Sequence, residues 1–394
     1  MRTKARSAAA LGYSLIVIAL CTHLLFTSQV AQAQTETVLY SFQGSPGDGA
    51  YPDAGLVFDK QGNLYGTTLW GGTDVYGTVF KLAPDGTETV LHNFGQRPDG
   101  RNPVAPLVLD RHGNVYGTTG AGGTYGKGTV FKLSTDGSET VLHNFQGAPV
   151  DGGSPYGNLV LDKQGNLYGI AAGGTHAAGM IFKLAPDGTE TALWNFASYS
   201  KNGSGPSGNL LLDKQGNLYG TTNGGGAYHQ GTVFKLTPAG TETVLYSFGS
   251  QPGDAVNPSG AWVFDKQGNL YGTAAVAVGP FYHGVVFKLT PEGTETVFYV
   301  FGSQPGDGSF PLNLVLDKEG NLYGATEDGG TTNWGTVFRL TPAGSETVLY
   351  SFGSQPGDGL RPEAGVVIDK SGNLYGTTNW GGAYVYGTVF KVIP

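Results

Sequence analysis

Three histidines in successive stretches of the chain are the first candidates for metal chemistry. His176, His229 and His283 lie in loops that recur along the sequence, and imidazole nitrogens are common zinc ligands. No His-x-His or His-Glu-x-x-His pair places two of them on one element. The alternative is that they are unrelated loop residues, and we predict no bound metal or cofactor.

Two carboxylates are candidates for acid–base chemistry. Asp53 and Glu363 precede corresponding strands near the two ends of the chain. If the fold brings them together, they could bind a cation or act as an acid and a base; a solvated pair at a channel mouth is the alternative. The chain has no Gly-x-Ser-x-Gly and no cofactor fingerprint, and its one cysteine is Cys21. A hydrolase or lyase is therefore only the third hypothesis.

Acidic loops of the type Pro-Gly-Asp-Gly recur along the chain. Calcium needs six to eight oxygen ligands, and one carboxylate per loop supplies too few. Asp and Gly are also ordinary turn formers, so the loops need no ligand to explain them. The aspartates concerned are Asp48, Asp99, Asp151, Asp254, Asp307 and Asp358.

Aromatic residues are frequent in the Gly-rich segments between predicted strands. Exposed rings offer a large contact area at low entropic cost, which suits a sugar or protein surface. The alternative is that they pack on neighbouring loops. The candidate binding residues are Trp70, Tyr76, Tyr125, Tyr228, Tyr282, Trp334, Trp380, Tyr384 and Tyr386.

All these residues belong to a tandem repeat. The core Gly-Asn-Leu/Val-Tyr-Gly occurs seven times at nearly constant spacing, and such spacing indicates a propeller or a solenoid. The cores begin at Gly62, Gly113, Gly165, Gly216, Gly268, Gly320 and Gly372.

Each repeat contains four short runs that predict β-strands, which we name A to D. In the first repeat they cover residues 55–58, 63–68, 78–82 and 87–94, and turn residues bound each run. The sequence therefore predicts an all-β, seven-bladed β-propeller with four antiparallel strands per blade. The tyrosine of each core is expected to pack between blades.

The two ends of the chain predict how the ring closes. Residues 35–42 read as a D strand without a preceding blade, and the last repeat ends on a C strand. The first strand should complete the seventh blade and remove an open sheet edge. If the C–D turns are four-residue loops, Lys81 faces Glu88, and Lys391 lies beside Glu36.

The repeat resembles a known family. The unit "GNLYGTT..GG......GTVFKL.P.GTETVLYSF" is similar to the GloVer (Gloeobacter/Verrucomicrobia) tandem repeat of bacterial surface proteins described as choice-of-anchor GloVer-containing proteins. The resemblance covers residues 35–394 and implies an exported bacterial protein, but it brings no known activity. Many relatives carry a C-terminal sorting anchor; this sequence has no such tail, which favours free secretion.

The N-terminus predicts export. Basic residues at Arg2, Lys4 and Arg6 precede an apolar run that ends in Ala-Gln-Ala, as in a cleaved signal peptide. An uncleaved anchor is the alternative. We predict a signal peptide over residues 1–33 and one propeller domain over residues 34–394. The net charge of −8 argues against nucleic acid and anionic membranes as partners.

These observations favour a secreted, monomeric and non-catalytic binding module. The D–A and B–C loops differ between repeats and should lie on one rim, where variable loops on a rigid frame commonly bind ligands. The expected partner is an extracellular polysaccharide or protein. A structural cell-surface repeat protein is the alternative.

Overall fold

The computed structural model of the chain describes residues 36–250, 254–258, 260, 262–277 and 283–394. Their regular structure is entirely β, and no helix within these ranges is long and apolar enough to cross a membrane. The predicted signal peptide and the candidate Tyr282 lie outside the described residues.

The repeats form seven antiparallel sheets with the strand order A-B-C-D, the blades of a propeller. In blade order, the A strands are Val57–Phe58, Val108–Leu109, Gly153–Leu161, Ser204–Leu212, Ala255–Pro258 with Val263–Phe264, Gly308–Leu316 and Val367–Ile368. The B strands are Leu64–Thr68, Val115–Thr119, Leu167–Ala172, Leu218–Gly224, Leu270–Ala277, Leu322–Gly329 and Leu374–Thr378. The C strands are Thr78–Leu82, Thr129–Leu133, Ala177–Leu184, Thr232–Leu236, Val285–Leu289, Thr336–Leu340 and Thr388–Val392. The D strands of blades 1 to 6 are Glu88–Asn93, Glu139–Asn144, Glu190–Ala197, Glu242–Ser247, Glu295–Val300 and Glu346–Ser351.

The strand Glu36–Ser41 supplies the D strand of blade 7. It pairs antiparallel with Thr388–Val392 of the same sheet, and Phe42 donates its amide hydrogen to the carbonyl of Gly387. The predicted closure of the ring by the N-terminal strand is confirmed.

The A strands line the centre of the ring. The Tyr156 hydroxyl of blade 3 donates to the Pro206 carbonyl of blade 4, and Asn158 donates its amide to the Asn209 side chain. Residues that precede or lie within the A strands of six blades line one small cavity of ≈ 160 Å³ on the axis. This cavity marks the central channel.

Phenylalanine pairs join each blade to the next. A phenylalanine at or just after the end of each D strand packs on a C-strand phenylalanine of the following blade, with ring centroids about 5 Å apart. Six pairs are edge-to-face, the favoured aromatic geometry, and Phe196–Phe234 is tilted. The pairs are Phe42–Phe80, Phe94–Phe131, Phe145–Phe182, Phe196–Phe234, Phe248–Phe287, Phe301–Phe338 and Phe352–Phe390.

The A–B turns are held by their aspartates. Asp59 accepts the backbone amides of Gln61 and Asn63 on one oxygen, and the Asn63 side chain and the Tyr65 hydroxyl on the other. Burial opposes ionisation of Asp59, but these hydrogen bonds outweigh it and lower its pKa. The repeated "DKQGNLYG" stretch is therefore a capped hairpin turn. Its tyrosine packs between blades, as predicted, in the same cluster as Val115 of the next blade.

The predicted Lys–Glu pairs across the C–D hairpins are wrong. Lys81 is opposite Thr89, and Leu82 is opposite Glu88, so the lysine and the glutamate lie on opposite faces of the sheet. The turn is one residue shorter than assumed, because the Ala83 amide closes on the Thr87 carbonyl. Lys391 likewise is opposite Thr37 and Glu36 opposite Val392. The two strands are neighbours, but the charges do not face each other.

The connections divide between two faces. Three short strand pairs join a D–A loop to the following B–C loop, which places both kinds of loop on one side, named here the loop face. The pairs are Gly49–Ala50 with Trp70–Gly71, Gly100–Arg101 with Ala121–Gly122, and Gly359–Leu360 with Trp380–Gly381. The A–B and C–D turns form the opposite side, the turn face.

Candidate functional site on the loop face

Most of the predicted aromatic residues are solvent-exposed on the loop face. Their relative exposure lies between 36% and 53%, which is high for large rings. They are Trp70, Tyr125, Tyr228, Trp334, Trp380, Tyr384 and Tyr386. These rings keep accessible surface instead of packing fully on neighbouring loops.

The rings are concentrated where blade 7 meets blade 1. Tyr51 packs on Trp380 and Tyr386, with ring centroids 5.1 and 5.8 Å apart. The Tyr51 amide also donates to the Tyr386 carbonyl over 2.8 Å. Because backbone and rings are both tied down, the exposed parts of Trp380 and Tyr386 are held in a fixed orientation. Such preorganised rings lose little entropy on binding.

Two exposed or partly exposed aromatic residues were not among the candidates predicted from the sequence, and one predicted residue is partly covered. Tyr51 stands in a D–A loop with a positive φ of 56°, and Tyr199 is 83% exposed in the irregular D–A loop before blade 4. The predicted Tyr76 is half-buried, with the Arg101 guanidinium 4.0 Å from its ring centroid. The variability of the D–A loops was the available signal for Tyr51 and Tyr199.

A charged cluster lies between these rings and the axis. Arg361, in the D–A loop before blade 7, donates to Glu327 of blade 6 and lies 3.3 Å from Glu363. Asp53 of blade 1 accepts a hydrogen bond from Asn379 of blade 7 over 3.3 Å. Asp53 and Glu363 line the same axial cavity. The structure thus brings the two predicted carboxylates to one channel mouth.

Burial changes the proton affinity of this cluster. It raises the pKa of Glu363 to about 7, with further contributions from the nearby charges of Glu327 and Asp53. Burial also raises the pKa of Asp53, against the hydrogen bond from Asn379. The Glu363 carboxyl group can therefore donate or accept hydrogen bonds near neutral pH. Such groups suit polyhydroxylated ligands as well as proton transfer.

The aromatic rings and the charged cluster share one sector of the loop face. Trp334 of blade 6, Trp380 of blade 7 and Trp70 of blade 1 follow the B strands of three consecutive blades. The charged groups come from the same three blades. We name the aromatic residues Tyr51, Trp70, Trp334, Trp380, Tyr384 and Tyr386, with the charged residues Asp53, Glu327, Arg361 and Glu363, the loop-face sector.

The aspartates of the Pro-Gly-Asp-Gly loops hold the loops in place. Asp48 accepts the Tyr40 hydroxyl over 2.8 Å and the Gln43 amide on one oxygen, and the Gly49 amide on the other. His92 and His143 take the place of Tyr40 in the next two blades and bond to Asp99 and Asp151. The corresponding tyrosines Tyr246, Tyr299 and Tyr350 bond to Asp254, Asp307 and Asp358. The carboxylates therefore already have protein donors.

The three candidate histidines are exposed on the loop face. His229 lies near Tyr199, with ring centroids 6.4 Å apart. His283 packs beside Gly302, and His176 is exposed in the loop of blade 3. In the part of the chain that the structure describes, no group of three or more His, Cys, Asp or Glu side chains could hold a metal ion.

Solved structures share this fold. The extracellular domain of the putative hybrid two component system BT3049 from B. thetaiotaomicron is 14% identical, with a TM-score of 0.57 over 92% of this chain and 41% of that chain. PorZ, a bacterial surface component of the type-IX secretion system of Porphyromonas gingivalis, is 15% identical, with a TM-score of 0.53 over 90% and 47%. The chain thus spans less than half of either protein, and the likeness extends to the fold alone.

Sequence comparison gives the family. No curated protein sequence matches the chain. The repeats match the Gloeobacter/Verrucomicrobia repeat over residues 24–211, 173–277 and 259–394, which together cover the propeller. The chain therefore belongs to the Gloeobacter/Verrucomicrobia repeat family.

Proposed function

We propose that the protein is a secreted, non-catalytic binding module that holds an extracellular glycan or protein on its loop face. The observation that carries the proposal is the loop-face sector, where exposed aromatic rings and a charged cluster come from the same three blades. The predicted signal peptide supports an extracellular location. We propose a monomer, since one chain closes the ring.

A glycan fits this sector better than a protein does. Sugar rings present apolar faces that stack on Trp and Tyr, and their hydroxyls bond to carboxylates and guanidinium groups. Trp380 and Tyr386 provide faces held by Tyr51. Glu327, Glu363 and Asp53 provide acceptors beside Arg361. Because the carboxylates outnumber the cation, we propose a neutral glycan.

The first experiment is thermal unfolding of residues 34–394 against neutral and acidic polysaccharides, with calcium, zinc and a chelator as further arms. A ligand that binds only the folded state raises the midpoint of unfolding. We expect a rise with one class of neutral polysaccharide. A chelator-sensitive midpoint would instead favour a metal site, and no shift with any polysaccharide would favour a structural or protein-binding role.

Substitutions locate the site. Replacing Trp70, Trp380 and Tyr384 by alanine should weaken glycan binding about tenfold or more, because stacked aromatic anchors dominate such contacts. Tyr199→Ala is the control, since it removes an even more exposed ring from the D–A loop before blade 4, away from the sector. An equal loss in the control would contradict the proposed location. Turnover of a glycan that is abolished by Asp53→Asn with Glu363→Gln would favour the hydrolase or lyase.

A further inference from the structure

The turn face carries one exposed cation per blade at the same place in every A–B turn. Each cation directly follows the turn aspartate, which leaves its side chain at the tip of the hairpin. The residues are Lys60, Arg111, Lys163, Lys214, Lys266, Lys318 and Lys370, named here the turn-face ring.

These cations form no ion pair with another described residue. The ion pairs among residues 36–250, 254–258, 260, 262–277 and 283–394 involve only His92, His143 and Arg361 as cations. The aspartate behind each cation is occupied, because both oxygens of Asp59 already accept hydrogen bonds from its own turn. The charges at these tips are therefore not neutralised by a turn carboxylate, although Arg111 also donates a hydrogen bond to the His112 ring over 3.1 Å.

The cations surround the axis. The A strands are innermost, so the turns that follow them encircle the mouth of the channel opposite the loop face. The Lys266 ammonium donates to the Lys318 carbonyl over 2.7 Å, which shows that adjacent turns lie within one side-chain length. Lys60, Arg111 and Lys370 also line a single cleft of ≈ 1330 Å³ that spans blades 7, 1 and 2.

Apolar side chains also line the cleft, beside the cations and the hydrogen-bonded turn aspartates. Phe58, Leu91, Leu109 and Tyr375 contribute to its lining. Rings and aliphatic side chains of this kind accept the apolar face of a sugar, while Lys and Arg bind acidic groups. The turn face thus offers two of the features that an acidic sugar chain needs.

We infer that the turn-face ring binds an acidic polysaccharide whose carboxylate groups recur along the chain, laid across the channel mouth and into the cleft. This goes beyond the proposed function, because the site is on the opposite face and takes an acidic ligand, whereas the ligand proposed for the loop face is neutral. Several weak contacts, each between one cation and one carboxylate, add up when they are made by one polymer.

The surroundings of the ring select a narrow polymer. The C–D turns lie farther from the axis and carry exposed acidic residues, Asp85, Asp136, Asp187 and Glu292. A membrane or a nucleic acid duplex that covered both zones would meet these carboxylates and be repelled. A single polysaccharide strand can follow the inner cations and enter the cleft, whose lining includes Pro84 and Thr135 of the C–D turns but neither Asp85 nor Asp136.

Polygalacturonate binding to residues 34–394 tests the inference, with dextran as the neutral polymer and polyphosphate as a different polyanion. Lys60→Gln, Arg111→Gln and Lys370→Gln together should weaken polygalacturonate binding about tenfold. Arg97→Gln, Lys127→Gln and Lys201→Gln together make the matched control, because they remove the same charge from exposed sites on the loop face. This control should bind within about twofold of the parent protein.

Three results would overturn the inference: equal losses in the two triple variants, unchanged binding in the turn-face variant, or dextran binding as tight as polygalacturonate. Tighter binding of polyphosphate would also overturn it, since the site would then respond to charge density alone. Unchanged binding after Trp70, Trp380 and Tyr384 are replaced by alanine would separate this site from the loop-face sector. All substituted side chains are exposed, so unfolding midpoints should remain near that of the parent and verify the fold.

Discussion

At the scale of one residue, Gly66 shows why this position of strand B has no room for a side chain. A Cβ atom there would lie 2.6 Å from the ring of Phe80 and 2.9 Å from Leu56. Phe80 is fully buried and contacts Phe42 of the neighbouring blade. The missing side chain therefore makes room for the ring that joins two blades.

Replacing Gly66 by alanine should destabilise the propeller by about 1–3 kcal/mol, because the packed ring must move. Denaturant unfolding of the variant measures this loss. Gly47→Ala is the control, since a Cβ there meets no atom within 4 Å, and it should change stability by less than about 0.5 kcal/mol. Similar losses in both variants would contradict the packing argument.

The recurrence of Gly66 was visible in the sequence, but its cause was not. The contact depends on the pairing of Gly66 with Phe80 across strands B and C, and a sequence shows the strands without their register. The same lack of register explains the wrong Lys81–Glu88 pair. A shift of one residue in a turn moved the glutamate to the other face of the sheet.

At the scale of the element, the first residue of each D strand carries a carboxyl group into the gap between blades. One oxygen of Glu88 is buried and has no hydrogen-bond partner among the described residues. Burial, with the nearby charge of Asp48 in the D–A loop that leads into blade 1, raises the pKa of Glu88 from 4.5 to about 7. Glu36 and Glu295 behave alike, with pKa values raised to about 8 by burial and by Asp358 and Asp254.

These glutamates should make the protein less stable as pH rises. Between the unfolded pKa of 4.5 and the folded value, the folded state holds protons that the unfolded state has lost. The free energy of unfolding therefore falls from about pH 5 to about pH 8. Glu88→Gln removes one such group and should raise the unfolding midpoint at about pH 8 more than at about pH 5.

Two comparisons check this pH effect. Glu292→Gln changes an exposed carboxylate and should leave the pH dependence as it is. Asp48→Asn removes the charge beside Glu88 and should weaken the pH dependence, although the lost acceptor for Tyr40 and Gln43 should lower stability at every pH. A pH profile that none of these variants alters would refute the role of the glutamates.

At the scale of the whole molecule, the chain closes its ring with strands from its two ends. The count of repeats and the offset between the first and last strands predicted this arrangement, because a propeller alone accounts for both. The sector of blades 6, 7 and 1 was harder to foresee. It depends on residues that differ from the repeat consensus in one blade only, such as Glu327, Arg361 and Trp334. Their proximity in space becomes visible only when the ring is closed.

A disulfide across the closure should stabilise the protein strongly. Thr37 is opposite Lys391, at the Cα spacing of about 4.5–5.5 Å that a cross-strand disulfide can span. Thr37→Cys with Lys391→Cys closes a loop of nearly the whole propeller. Thr89→Cys with Lys81→Cys has the same register inside blade 1 but closes a short loop. Unfolding under oxidising and reducing conditions should give the terminal link about 3 kcal/mol more stabilisation. Equal gains would show that the ends do not separate during unfolding.

The same closure of the ring determines how the molecule responds to a mechanical pulling force. Glu36 begins its strand and Val392 ends the strand beside it, and the two residues are opposite each other. A pull on these two ends loads the hydrogen bonds of blade 7 one after another, as in a zipper, and not all at once as in shear. Under tension the ring should open at this seam while the other six blades remain folded.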